Sequence, residues 1–149
     1  MRLRGTSLSI YLDTSALVKL LVDEADSDLA RSAYADANGA RTTGIAYVEA
    51  TSAVTRMRKG NRLSPAELRS ALDELDSIWA ALDVLEVTDT LIQAAAKVAR
   101  DHALRAYDAV HLAGALALAR DEEIAFVCWD RELSEAADKH GLALIPEQS

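Results

Sequence analysis

Four acidic residues stand where acids are not expected. Asp13, Glu49, Asp108 and Asp130 sit inside or at the lip of apolar stretches, SIYLDTSALVKLL, GIAYVEATSAV, AYDAVHLAGALALA and IAFVCWD. Stretches of this kind build cores, and an ionised carboxylate buried in one without a partner costs several kcal/mol or more. Each acid has a simple individual explanation. Asp13 or Asp130 suits a helix cap, Glu49 an exposed helix position, and Asp108 an ion pair with Arg105. Four of them spread over the whole chain point instead to one shared site. Crowded carboxylates raise one another's pKa values unless cations neutralise them. Oxygen-only donors without a His/Cys cluster suit Mg²⁺ or Mn²⁺.

The elements that position these acids alternate between short β-like and longer α-like segments. Ser9 to Leu12 reads as a strand, followed by a helix from Thr14 to Val22 with Thr14 as a candidate N-cap. A helix from about Ser27 to Ala37 stops at Asn38-Gly39. A strand near Arg41 to Thr43 leads to a helix from about Ile45 to Lys59, stopped by Gly60. Ser64-Pro65-Ala66-Glu67 combines a capping residue, proline at the first helical position and a capping-box glutamate, so a helix to about Ala80 follows. Asp83 to Val87 reads as a strand. Thr88 caps a helix to about His102, and Ala106 to Arg120 forms another that is apolar on most of its circumference. Ile124 to Cys128 suits a central parallel strand, a helix runs from about Glu132 to Lys139, and Leu142 to Ile145 is the last strand.

This order predicts an α/β fold, a three-layer α/β/α sandwich around a short, mostly parallel sheet. In such sheets ligands bind beyond the carboxyl ends of the strands, and Asp13 and Asp130 stand at or past two of those ends. Glu49 and Asp108 lie early in helices that point to the same edge, so all four are expected to face one cleft. At 149 residues, with no repeat or linker, residues 1–149 form one domain.

The net charge of −8 argues against a protein that coats nucleic acid by bulk electrostatics, but not against a nucleic-acid enzyme. One basic run, Arg56, Arg58, Lys59 and Arg62, lies within seven residues that contain no acid. It either closes a helix favourably against its dipole or contacts RNA. The single cysteine, Cys128, cannot form an internal disulfide, which fits a reducing compartment, and reads as a small buried apolar residue. MRLRGTSLSIYL imitates a signal peptide only faintly, since Asp13 and Lys19 interrupt the apolar run. The apolar run from Ala109 to Ala119 is too short to span a bilayer. A soluble, cytoplasmic location with no membrane association is expected.

Four segments resemble a known family. IYLDTSALVKLL is similar to the opening motif of PIN-domain nucleases, AYVEATSAV to the helix that supplies their glutamate, RAYDAVHLAGALAL to their third acidic motif, and FVCWDRELSEAADKHGLALI to their closing segment. The size resembles the toxin component of VapBC-type toxin–antitoxin modules. The resemblance implies a Mg²⁺- or Mn²⁺-dependent endoribonuclease, commonly a homodimer, silenced by a small antitoxin. It assigns Asp13, Glu49 and Asp108 to the three central metal-site acids and Asp130 to the more variable fourth. Ser15 matches a hydroxyl that supports the site. Cys128 departs from the pattern, standing where the family often has threonine or serine two residues before the last acid.

The mechanism implied is attack by water on a phosphodiester, oriented and activated by one or two metal ions. His111, three residues after Asp108 on the same helical side, is placed either to orient that acid or to pack as a core histidine. Ser15 occupies the place where a haloacid-dehalogenase-type phosphatase needs a second aspartate, and the acidic pair of a receiver module is absent. The remaining alternatives are a non-catalytic PIN-like RNA- or protein-binding module and a housekeeping PIN nuclease without an antitoxin.

Overall fold

The computed structural model describes residues 2, 3 and 6–148, with side chains described from residue 8 onward. Met1, Arg4, Gly5 and Ser149 lie outside it, and with them part of the segment that resembles a signal peptide. Two short strands, β1 (Arg2–Leu3) and β2 (Thr6–Ser7), pair antiparallel ahead of the main body. The body then runs β3 (Ser9–Leu12), α1 (Thr14–Leu21), α2 (Ser27–Asp36), β4 (Ala40–Thr43), α3 (Ile45–Lys59), α4 (Pro65–Ala81) and β5 (Asp83–Leu85). It continues α5 (Asp89–His102), α6 (Ala106–Ala119), β6 (Ile124–Val127), α7 (Arg131–Lys139) and β7 (Ala143–Ile145). Among the described residues no helix is long and apolar enough to cross a membrane.

Five strands form one parallel sheet in the order β5-β4-β3-β6-β7, with β3 at its centre. The period of two along each strand divides the core into two halves. Ile10 and Leu12 of β3, with Ala125 and Val127 of β6, face the layer made by α1 to α4. Tyr11, Ile124 and Phe126 face the opposite layer, made by α5, α6 and α7. Strands buried on both faces account for the uninterrupted apolar runs around β3 and β6.

Two helix starts matter for the site. The N-cap of α1 is Asp13, not Thr14, because the Asp13 carboxylate accepts the Ala16 N–H and frees the Thr14 hydroxyl for another partner. Asp130 caps α7 in the same way, accepting the Leu133 N–H at 2.9 Å. Ser64 and Glu67 form the capping box of α4 that the sequence predicts. Helix α6 lies close against the sheet at Gly114, where a Cβ would come within 2.9 Å of Thr43 Cγ2 and 3.3 Å of the Tyr11 hydroxyl.

Candidate functional site

Three adjacent strands deliver three of the four acids to one edge. Asp13 directly follows β3, Glu49 lies in the second turn of α3 after β4, and Asp130 follows β6 across Cys128 and Trp129. Asp108 comes from the first turn of α6, which packs on the β3–β6 side of the sheet.

Asp13 is buried, at 3% exposure, which puts a carboxylate inside the core. Its Oδ1 accepts from the Ser15 hydroxyl at 2.7 Å and from the Ala16 amide at 3.0 Å. Burial pushes its pKa above the usual carboxylate range, with His111, Ser15 and the Ala16 amide acting against that shift. The Ser15 hydroxyl also accepts the Trp129 N–H at 3.0 Å, which ties the β3–α1 junction to the β6–α7 junction. Cys128 is buried, and burial raises its thiol far above the ordinary value, as a core residue requires.

Asp108 is held up by burial and then by the charge of Asp130, with Arg105 opposing and Asp13 adding to the shift. Asp13, Asp108 and Asp130 thus lie in one electrostatic neighbourhood. Arg105 bridges two of them: its guanidinium lies 3.1 Å from Asp108 Oδ2 and 3.0 Å from Asp130 Oδ2. The ion pair between Asp108 and Arg105 is therefore present, and it extends to Asp130. Arg105 is mostly exposed, so the bridge stands at the mouth of the site.

Glu49 belongs to a separate network. Its Oε1 accepts from the Thr14 hydroxyl at 2.6 Å and lies 2.8 Å from His111 Nε2. Nδ1 of His111 in turn lies 2.8 Å from the buried Tyr11 hydroxyl, which also meets Thr43 Oγ1 at 3.3 Å. A carboxylate oxygen can only accept, so the Nε2 N–H of the imidazole donates to Glu49. Burial raises the Glu49 pKa, but the bonds from His111 and Thr14 more than offset it, so the carboxyl sits below its ordinary value. His111 therefore orients Glu49, not Asp108. An i+3 neighbour on the helix is less well placed than a carboxylate brought in from α3.

The basic run divides. Arg56 lines a cavity shared with Glu49, whereas Arg62 lines another beside Leu21 and Asp23. Arg58 donates to the Leu63 carbonyl at 3.0 Å, closing the turn after α3. Arg56, Arg58 and Lys59 all lie in the last turn of α3.

Among the described residues, no group of three or more His, Cys, Asp or Glu side chains is gathered closely enough to hold one ion. Along this edge Arg105 engages Asp108 and Asp130, and His111 holds Glu49. The donor chemistry nevertheless fits a hard divalent cation. Asp13 is buried with the Ser15 hydroxyl and the Ala16 amide on one oxygen, and Asp108 is raised by burial and by the charge of Asp130 in spite of Arg105.

The chain is similar to known proteins over most of its length. The chain is 38% identical over 139 residues to the ribonuclease VapC49 of Mycobacterium tuberculosis, covering 93% of this chain and 96% of that protein. Among solved structures it is similar to VapC20 of Mycobacterium tuberculosis, with a TM-score of 0.66 and 19% identity over 85% of this chain and 94% of that one. It is also similar to a toxin–antitoxin complex from Klebsiella pneumoniae, with a TM-score of 0.55 and 16% identity over 81% and 86% of the two chains. Residues 10–139 match the model of the PIN domain, and with the acids of that span at one edge of a parallel sheet, the chain belongs to the PIN-domain family.

Proposed function

We propose that this chain is a metal-dependent endoribonuclease that acts as the toxin of a type II toxin–antitoxin pair. The observation that carries the reading is the placement of Asp13, Asp108 and Asp130 along the carboxyl edge of β3 and β6, where burial raises Asp13, and burial with the charge of Asp130 and Asp13 raises Asp108. The identity to a protein named as a ribonuclease, over nearly the whole chain, supports it.

Asp13, Glu49 and Asp108, with Asp130 as the fourth, are the residues that would hold Mg²⁺ or Mn²⁺. Bound there, the metal supplies an activated water and neutralises charge that develops on the phosphate. The chain's own part is positional. Both hydrogen bonds to Asp13 fall on Oδ1 and both to Glu49 fall on Oε1, which leaves Oδ2 and Oε2 to the incoming cation. Ser15 fixes Asp13 and at the same time holds the loop that carries Asp130. Arg105 supplies the positive charge at the mouth, where a phosphate enters. Arg56, beside Glu49, is the member of the basic run best placed to meet the RNA backbone, with Arg58 and Lys59 in the same turn and Arg62 beyond the helix end at another cavity.

The protein works in the cytoplasm as a homodimer. It is silenced by a small antitoxin, a reading that the toxin–antitoxin complex among its structural neighbours supports. The test is induction of wild type and Asp13→Asn in parallel, followed by sequencing of RNA 5′ ends. New ends and growth arrest are expected with wild type alone. Their persistence in the variant overturns the metal mechanism.

A further inference from the structure

Beside Glu49 the surface changes character. A cavity of about 540 Å³ opens between α3 and the start of α6, lined by Thr14, Ile45, Val48, Glu49, Arg56 and Tyr107. Val48 is 65% exposed and Tyr107 61% exposed, so two large apolar groups stand in solvent next to the acids. Tyr47 of the same helix is accounted for, since its ring packs edge-on to Trp79 and its hydroxyl bonds Asp76. Tyr107 has neither an aromatic partner nor a hydroxyl bond among the described residues. Arg56 makes no ion pair among them either.

We propose that this cavity is a base-binding subsite for single-stranded RNA. One unstacked base lies against the Tyr107 ring and Val48, and its phosphate meets Arg56. The inference rests on the nuclease reading above and adds to it the position of one nucleotide. Tyr107 precedes Asp108 in the chain and the cavity shares Glu49 with the acids, so a base seated here places its own phosphodiester beside them. The occupant follows from charge. Arg56 is exposed and makes no ion pair among the described residues, so an anionic group matches it, whereas an apolar protein segment would cover Tyr107 and Val48 and leave Arg56 unmatched. Every base has a stacking face, so the subsite sets register without selecting sequence.

The test uses the full chain with Asp13→Asn, which retains an oxygen to cap α1 and does not cut the probe. The probe is a 5′-fluorescein uridine octamer in Mg²⁺, intact or with one abasic residue moved through each position, read by anisotropy. One abasic position should weaken binding by about 10-fold, the scale of losing a base–aromatic stack. Adding Tyr107→Ala should weaken the intact octamer by the same factor and become indifferent to that position, while Tyr107→Phe behaves as the parent. Because Tyr107 is exposed, its truncation should leave the thermal midpoint unchanged.

The proposal is overturned if Tyr107→Ala has no effect, or if its loss multiplies with that of every abasic position. It is equally overturned if the substitution alters only sedimentation, which marks a contact with a second copy, or only retention of a co-expressed antitoxin. If wild type produces new RNA ends while Tyr107→Ala binds the octamer normally, the subsite falls and the nuclease reading stands. If neither cutting nor octamer binding is found, both fall.

Discussion

Nε2 of His111 lies 2.8 Å from Oε1 of Glu49, across 62 residues of sequence and between two helices on opposite faces of the sheet. The bond passes at the sheet edge, where Tyr11 anchors the far side of the imidazole. Glu49 therefore has its direction fixed from the core outward, as the outer partners of metal ligands commonly do.

Replacing His111 should thus damage the site more than its distance from solvent suggests. His111→Gln should reduce Mn²⁺ affinity and cleavage by about 10- to 100-fold, the usual cost of losing an outer partner. Glu49→Gln should cost more than that. His111→Ala also leaves a cavity and leaves the Tyr11 hydroxyl with Thr43 alone, and should lower stability by about 1–3 kcal/mol. Calorimetric titration with Mn²⁺ alongside thermal unfolding separates the two effects, and equal Mn²⁺ affinity in wild type and His111→Gln would sink the relay.

Arg105 and an incoming cation compete for the same oxygens. Arg105→Ala should leave folding nearly unaltered, since the side chain is 76% exposed and surface ion pairs contribute little. Mn²⁺ should bind more tightly to the variant, because Asp108 and Asp130 lose their shared counter-charge. Cleavage should fall even so, as a phosphate loses its partner at the mouth. Unchanged affinity by titration would show that the guanidinium moves aside without cost.

Acidity offers a third check. Asp13 and Asp108 have raised pKa values in the folded chain, so their ionisation opposes folding at neutral pH. That cost disappears as pH falls through the raised folded values towards the unfolded value of about 4. Glu49, held low, acts oppositely and withdraws its contribution as pH falls through its folded value. In chelator, Asp13→Asn should therefore melt higher than wild type at pH 7, on a scale of about 2–4 °C per kcal/mol. The gap should close on acidification, and Mn²⁺ should stabilise wild type alone. A lower midpoint for the variant at pH 7 would contradict the sign.

Gly114 couples packing to the site. An alanine there gains about 1 kcal/mol in helix propensity. The added Cβ would stand 2.9 Å from Thr43 Cγ2, a stiff and fully buried group, and overpacking of that kind costs about 1–3 kcal/mol. Gly114→Ala should therefore melt lower and, by displacing the Tyr11 hydroxyl, weaken Mn²⁺ binding as well. A variant that melts higher with intact affinity would show that α6 has room to shift.

Local signals in the sequence carried most elements to within a residue or two. The capping box at Ser64 and Glu67 and the stop at Gly60 act through neighbours in the chain, so reading them needs no tertiary knowledge. The acids were conspicuous because their surroundings are apolar. Three features were harder to read. The strand order is set by pairings across the whole chain, and no short segment encodes that β3 lies between β4 and β6. The partner of His111 arrives from another layer, although a histidine in an apolar helix and a threonine after Asp13 were cues. The basic run looks like one patch in sequence, but a helix end and a turn send Arg56 and Arg62 to different cavities.

Asp13 and Asp130 each begin a helix with the same carboxyl group that gives the edge its charge. Capping requires only an oxygen that accepts a hydrogen bond, and an amide supplies one as well as a carboxylate does. The two caps are therefore blind to the exchange of aspartate for asparagine, while the chemistry is not. A single-base change in either codon would leave a chain that still folds, docks and titrates its partners but no longer cuts. A cell that carries such a gene at a cost has its shortest path to relief there, and silent relatives of this protein should be sought first among those with asparagine at one of the two caps.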